Sequence, residues 1–256
     1  EAGVDQYGGE SDPEYIVDLV NQGAISEARI DESVRRILRN KFDLGLFETP
    51  FVDEAKVNAL VNLPEYVSLG MTAQRNAVVL LDNESSALPL APETRIFVDG
   101  LDPSVAAKYG TVVETPDEAD VVLLFLNTVF NGNQPAGTDR TLDQMMATRF
   151  PDTNLAFSEE ILAKAASYRD VSQLVTLVDL NRPAVLTELK DMSGALVGTF
   201  GVSDEAMLDV VFGKHNPVGK LPFELPSSMA EVEAQLEDVP DDTANPLFPY
   251  GWGLSY

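Results

Sequence analysis

Val121-Val122-Leu123-Leu124-Phe125-Leu126 is a run of six apolar residues with no polar position in it. A strand wet on one face alternates apolar and polar residues, so an unbroken run is covered on both faces, as in a parallel sheet between two layers of helix. Six residues make a strand and fall far short of the roughly 20 that cross a bilayer. Short apolar runs at 77–81, 95–98, 174–180 and 195–200 repeat the pattern. Helical stretches are expected between them, at 158–168 and at 204–212, the second with Ser203 as its cap and Gly213 as its stop. Strands alternating with helices argue for an α/β fold, a three-layer sandwich around a mostly parallel sheet.

Outward from that core, Asp12-Pro13 reads as the cap and first position of a helix that Gly23 closes. Ile30, Val34, Ile37, Leu38 and Phe42 then form an apolar stripe at helical spacing that ends at Gly45. A further helical stretch from 53 to 74, interrupted near Pro64, leads to the first strand. At the other end, residues 227–242 are acidic and are expected to form an exposed loop.

Composition narrows function. The chain has 256 residues, 45% of them hydrophobic, enough for a sizeable core. Its 42 acidic residues against 17 basic ones give a formal charge of −25, which argues against nucleic acid and anionic membranes as partners but leaves a neutral sugar unopposed. There is no cysteine, so disulfides and thiolate metal sites are excluded. The single His215, beside Asn216 and Pro217, reads as a turn residue, and neither a metal nor a cofactor is expected.

Two strings near the C-terminus are more specific: Asn216-Pro217-Val218-Gly219-Lys220-Leu221-Pro222-Phe223 and Phe248-Pro249-Tyr250-Gly251-Trp252-Gly253-Leu254-Ser255-Tyr256. Their prolines and glycines fix turns and let backbones approach closely around aromatic rings. Together they resemble the closing segment of the α/β sandwich domain of glycoside hydrolase family 3, the retaining β-glucosidases and β-xylosidases. Residues 20–51 resemble the segment by which that family leaves its first, (β/α)8-type barrel domain. Gln74-Arg75-Asn76-Ala77-Val78-Val79-Leu80-Leu81-Asp82-Asn83, followed by Leu88-Pro89-Leu90, is similar to the start of its second domain, with Asp82 where the family tends to have lysine. The resemblance implies that residues 1–50 are the helical C-terminal end of the barrel domain, 51–76 a linker and 77–256 the sandwich.

It also says where to look for chemistry. A retaining glycosidase needs one carboxylate to attack the anomeric carbon and a second carboxyl to protonate the leaving oxygen. The family's nucleophile is an aspartate in an S-D-W-type motif, which is absent here. Ala2-Gly3-Val4-Asp5 looks like the segment just after it, so the nucleophile is expected upstream of Glu1 and the chain is expected to be part of a larger enzyme. Asp5 is thereby a candidate for substrate binding. The family's acid precedes a D-R pair in a loop of the second domain; the matching loop is 131–140, with Ala136 where the glutamate should stand and with Asp139 and Arg140 matching the pair. Asp139 is the candidate acid or positioning group and Arg140 a candidate sugar ligand; an ordinary surface ion pair is the alternative. Two functions stay open: the second domain of an exo-acting β-glycosidase, or a non-catalytic glycan-binding or structural module of the same fold. The expected partners are the N-terminal barrel, as domain or separate chain, and a carbohydrate, in an extracellular or periplasmic setting.

Overall fold

The computed structural model describes residues 3–6, 11–128, 154–236 and 238–256. Asp139 and Arg140 lie outside them. The chain divides into two compact units, Glu1–Leu63 and Pro64–Tyr256.

The first unit is helical: α1 (Pro13–Asn21), α2 (Glu27–Asp43) and α3 (Glu54–Leu60). Ser26 caps α2 by accepting the Arg29 amide, and the left-handed Gly23 and Gly45 follow α1 and α2 as expected. Asp12 precedes α1 but makes no side-chain cap bond. Among the described residues of this unit only Ser33 is buried, while Val34, Leu38, Phe42, Phe47 and Phe51 are exposed. The helices form from their own caps and periodicity without an apolar core of their own.

The second unit opens with α4 (Pro64–Asn76) and carries a six-stranded sheet of β1 (Val79–Asp82), β2 (Arg95–Asp99), β3 (Thr111–Val112), β4 (Val121–Asn127), β5 (Gln173–Asp179) and β6 (Ala195–Thr199). Strand order is β1-β6-β5-β4-β2-β3, and every pairing is parallel except β1 with β6. Among the described residues, the helices within the sheet region are α5 (Pro103–Ala106), α6 (Glu159–Arg169), α7 (Thr187–Met192) and α8 (Asp204–Val211), with a 3-10 turn at Pro116–Glu118. Alternate residues of each strand feed opposite cores. Leu80, Ile96, Leu123, Val175, Leu177 and Val197 meet Ala106 of α5 and Met207, Leu208 and Val211 of α8. Leu81, Val122, Leu124, Leu174 and Leu196 meet Ala165 of α6 and Leu189 of α7 on the other face. The three-layer sandwich with a mostly parallel sheet is therefore present, and the unbroken runs are unbroken because both faces are dry.

Three details differ from the sequence expectation. The first strand starts at Val79, because the Ala77 and Val78 amides still bond back to carbonyls at Ala73 and Arg75 and prolong α4. The two-residue β3 is too short for periodicity to reveal. The acidic stretch 227–242 is not all loop: Ser228 caps a short α9 (Met229–Ala234), and β7 (Leu225–Pro226) pairs antiparallel with β8 (Pro246–Phe248) around it.

The two C-terminal strings lie on each other and on β1. The Leu221 amide donates to the Trp252 carbonyl, Gly251 N to Leu221 O, Leu254 N to Leu80 O, and the Trp252 indole to Leu81 O. A Cβ on Gly219 would stand 2.4 Å from the Val78 carbonyl oxygen, and one on Gly253 would stand 2.3 Å from that of Gly219. Glycine is required at both positions because two backbones touch there. The strings clasp the otherwise open edge of β1, the antiparallel strand of the six-stranded sheet.

Candidate functional site

In an open parallel sheet, ligand sites form outside the carboxyl ends of the strands, where the connections leave. Here that edge is centred on β5. Register places Asn127, Asp179 and Thr199 side by side on β4, β5 and β6. Asp179 ends an apolar strand and is only 6% exposed. Its Oδ1 accepts from the Gly201 amide at 2.6 Å and from Thr199 Oγ1 at 3.2 Å, and its Oδ2 from Asn181 Nδ2 at 2.7 Å. The Asp179 carbonyl accepts the Thr128 amide at 3.1 Å. With three donors on its carboxylate, Asp179 braces the exits of β5 and β6. Next to it, Thr128 Oγ1 is buried and has no partner among the described residues. Thr128 is the last described residue before the connection that carries Asp139 and Arg140.

The strand order reverses between β2 and β4, and the chain closes that crevice with backbone. Gly100, at φ +89°, would put a Cβ 2.6 Å from the Phe125 carbonyl oxygen. Asp99, at the end of β2, accepts from the Tyr168 hydroxyl at 2.8 Å and forms an ion pair with Lys164 Nζ at 2.5 Å. Burial first, then the bond to Asp99, push the Tyr168 phenol up to about 12. Asp102 accepts the Ser104 amide at the start of α5, and that bonding holds its carboxyl below the usual range, while its own amide donates to Asp204 at the start of α8. The edge is thus rigid on both sides of the β4 exit.

In the first unit, Asp5 is held by α2. Ser33 Oγ donates to Asp5 Oδ1 at 2.7 Å, Arg36 Nη1 donates at 2.9 Å, and Arg29 stands 3.6 Å away. The Ser33 bond first, and the Arg36 bond after it, hold the Asp5 carboxyl below its ordinary value. Asp5 borders a groove of about 810 Å³ whose wall is otherwise largely apolar, with Ile16, Ile25, Ile30 and Val34. The arrangement presents an oriented anionic acceptor beside apolar surface. No group of three or more His, Asp or Glu side chains that could hold a metal occurs among the described residues.

Residues 106–256 match the Glycosyl hydrolase family 3 C-terminal domain. The chain belongs to this family. Along its whole length it is 45% identical to the beta-glucosidase C of Emericella nidulans, covering 41% of that protein. It is 39% identical, again over its whole length, to the periplasmic beta-glucosidase/beta-xylosidase of Dickeya chrysanthemi, of which it covers 38%. The chain therefore spans about two-fifths of the length of the curated relatives it matches. Its fold is similar to that of the crystal structure of a beta-glucosidase from Listeria innocua in complex with isofagomine, with a TM-score of 0.69 at 22% identity over 94% of this chain and 41% of that one.

For this family 3 chain, the sequence pointed to Asp5 and to the 131–140 loop and passed over the Asp179 brace. One signal was available: an aspartate closing a strand-length apolar run is costly to bury unless donors await it. The same holds for Asp209, on the buried face of α8. Arg75 of α4 donates to its Oδ2 through Nε at 2.6 Å and holds Nη2 in ion-pair contact with the same oxygen at 2.6 Å, and Tyr109 donates to its Oδ1 at 2.7 Å. His215 sits in a turn, as read, with its ring 2.9 Å from Asn76 Oδ1.

Proposed function

We propose that this chain is the C-terminal part of a β-glucosidase that removes terminal β-linked glucose by the retaining route. The observation that carries the reading is 45% identity along the whole chain to a beta-glucosidase, combined with the family 3 domain match. The nucleophilic carboxylate belongs to the barrel domain upstream, which also covers the apolar stripe of α1 and α2, exposed here as a soluble protein rarely leaves it. The sandwich domain contributes the wall of the sugar site through the connection leaving β4, whose start is held by the Asp179 brace. From that connection Asp139 delivers or positions the proton for the leaving oxygen and Arg140 binds the sugar; Asp5, oriented by Ser33 and Arg36, accepts from sugar hydroxyls. An extracellular or periplasmic setting is supported by the Dickeya relative, a periplasmic beta-glucosidase/beta-xylosidase.

Nitrophenol release from aryl β-glucosides tests the reading. The complete enzyme should turn over, and this chain alone should not, since loss of a nucleophile removes orders of magnitude in rate. In the complete enzyme, Asp139→Asn should depress turnover of substrates with poor leaving groups much more than of activated aryl glucosides if Asp139 is the acid, and should mainly raise KM if it positions. Unchanged kinetics on both substrate types would remove the loop from the site, and normal turnover by the purified chain would refute the placement of the nucleophile.

A further inference from the structure

The second unit holds a groove of about 550 Å³, within the range of small-molecule sites. It runs between residues 222–224, residues 239–241 and Tyr250, and Pro183, four residues past the end of β5, lies on its wall. It therefore adjoins the same carboxyl edge of the sheet.

The walls are fixed without any ligand. The Thr243 amide donates to Glu224 Oε1 at 2.8 Å, and Gln235 Nε2 donates to Thr243 Oγ1 at 2.7 Å. Asp242 accepts the Leu236 amide at 2.7 Å, and Glu231 accepts from Asn245 Nδ2 at 2.9 Å. A surface held this way loses little freedom on binding. Glu224, 8% exposed, and Gln235 both line the groove, and each side chain has acceptor capacity beyond the bonds just named.

Its chemistry is mixed in a particular way. Tyr250 and Leu236 are 63% and 67% exposed and stand on one groove with Phe223, next to the carboxylates of Glu224 and Asp241. Exposed apolar side chains gathered in one place mark a contact surface. A purely apolar partner would seal the Asp241 carboxylate and the second Glu224 oxygen from water, which is costly. An anionic partner would meet both of them and a chain of charge −25. A neutral pyranose fits both features: its C–H face lies on an aromatic ring and its hydroxyls donate to carboxylate and amide oxygens.

We propose that this groove is a binding site for a neutral β-linked gluco-oligosaccharide, stacked on Tyr250 and held by hydroxyl donation to Asp241, Glu224 and Gln235. The β-gluco configuration rests on the function proposed above; the neutral-sugar chemistry rests on the groove itself.

The chain carries one tryptophan, Trp252, two residues from Tyr250 and with its ring 5.8 Å from that of Phe248, so its fluorescence reports on the groove. Titration with cellotriose or laminaritriose should give a saturable change with a Kd of about a millimolar, and maltotriose should bind at least about tenfold more weakly. Tyr250→Ala and Asp241→Asn should each weaken binding about fivefold or more while melting with the parent, since neither side chain is in the core. The proposal is overturned by no saturable change up to about 20 mM, by equal binding of maltotriose, or by binding that neither substitution alters. Binding here and hydrolysis by the complete enzyme are separate measurements, so a chain that binds while the complete enzyme cleaves nothing refutes only the proposed activity. Cleavage without binding refutes only the groove.

Discussion

Replacing Asp209 by asparagine isolates the contact that fastens α4 to α8. Asp209 is 6% exposed, and its carboxylate takes a guanidinium N–H bond at 2.6 Å from Arg75 Nε, an ion-pair contact at 2.6 Å with Nη2 and one hydroxyl bond at 2.7 Å from Tyr109. Asparagine keeps an acceptor for Tyr109 but turns a charge-assisted pair into a cation facing a neutral amide. Breaking a buried ion pair costs about 3–5 kcal/mol when the remaining charge is sealed from water. The Arg75 side chain is 28% exposed and can rehydrate in part, which brings the cost to or just below the bottom of that range, about 2–3 kcal/mol. For a unit the size of Pro64–Tyr256, each kcal/mol moves the melting midpoint by about 2–4 °C, giving a fall of roughly 4–12 °C. Urea unfolding of the parent, Asp209→Asn, Arg75→Met and the double variant closes a thermodynamic cycle, in which the coupling should exceed about 1 kcal/mol. A loss below about 0.5 kcal/mol with unchanged m, or additive single effects, would refute the argument that this pair holds the two helices.

Two further outcomes follow from the geometry. Gly253→Ala should destabilise by about 1–3 kcal/mol, because its Cβ would stand 2.3 Å from a backbone oxygen, whereas Gly70→Ala, mid-helix with nothing within 4 Å, should be neutral or stabilising; calorimetry showing equal effects would refute the close-contact reading. The Tyr168 phenol is held up to about 12 against a usual 10, so the fold favours its protonated form; that stabilisation is whole below pH 10 and is lost as pH rises through 12. Tyr168→Phe should flatten the alkaline decline between those limits, and parallel declines in variant and parent would rule out Tyr168 as its source.

Legibility tracked how local each feature is. β4, β5 and β6 announce themselves because burial on both faces erases alternation, α2 because its apolar stripe ends at Gly45, and α8 because Ser203 caps it within the first turn. β3 and the β7–β8 pair are two or three residues long and exist only through partners distant in sequence. The α9 turn hid in an acidic stretch that composition alone assigns to solvent. The Asp179 brace draws its donors from residues 181, 199 and 201, and Asp209 is satisfied from residues 75 and 109. No spacing rule joins such positions. The glycines of the C-terminal strings were legible as sites of backbone approach, but the backbone they approach was not.

The C-terminal clasp also has a kinetic meaning. Trp252 reaches Leu81 across a sequence separation of 171, and Leu254 pairs with Leu80 in the same place. Closing so long a loop costs entropy that only a largely assembled sheet can offset. The first strand of the sandwich is therefore sealed by nearly its last residues, and on a ribosome β1 must wait, one edge unpaired, until almost the whole domain has emerged.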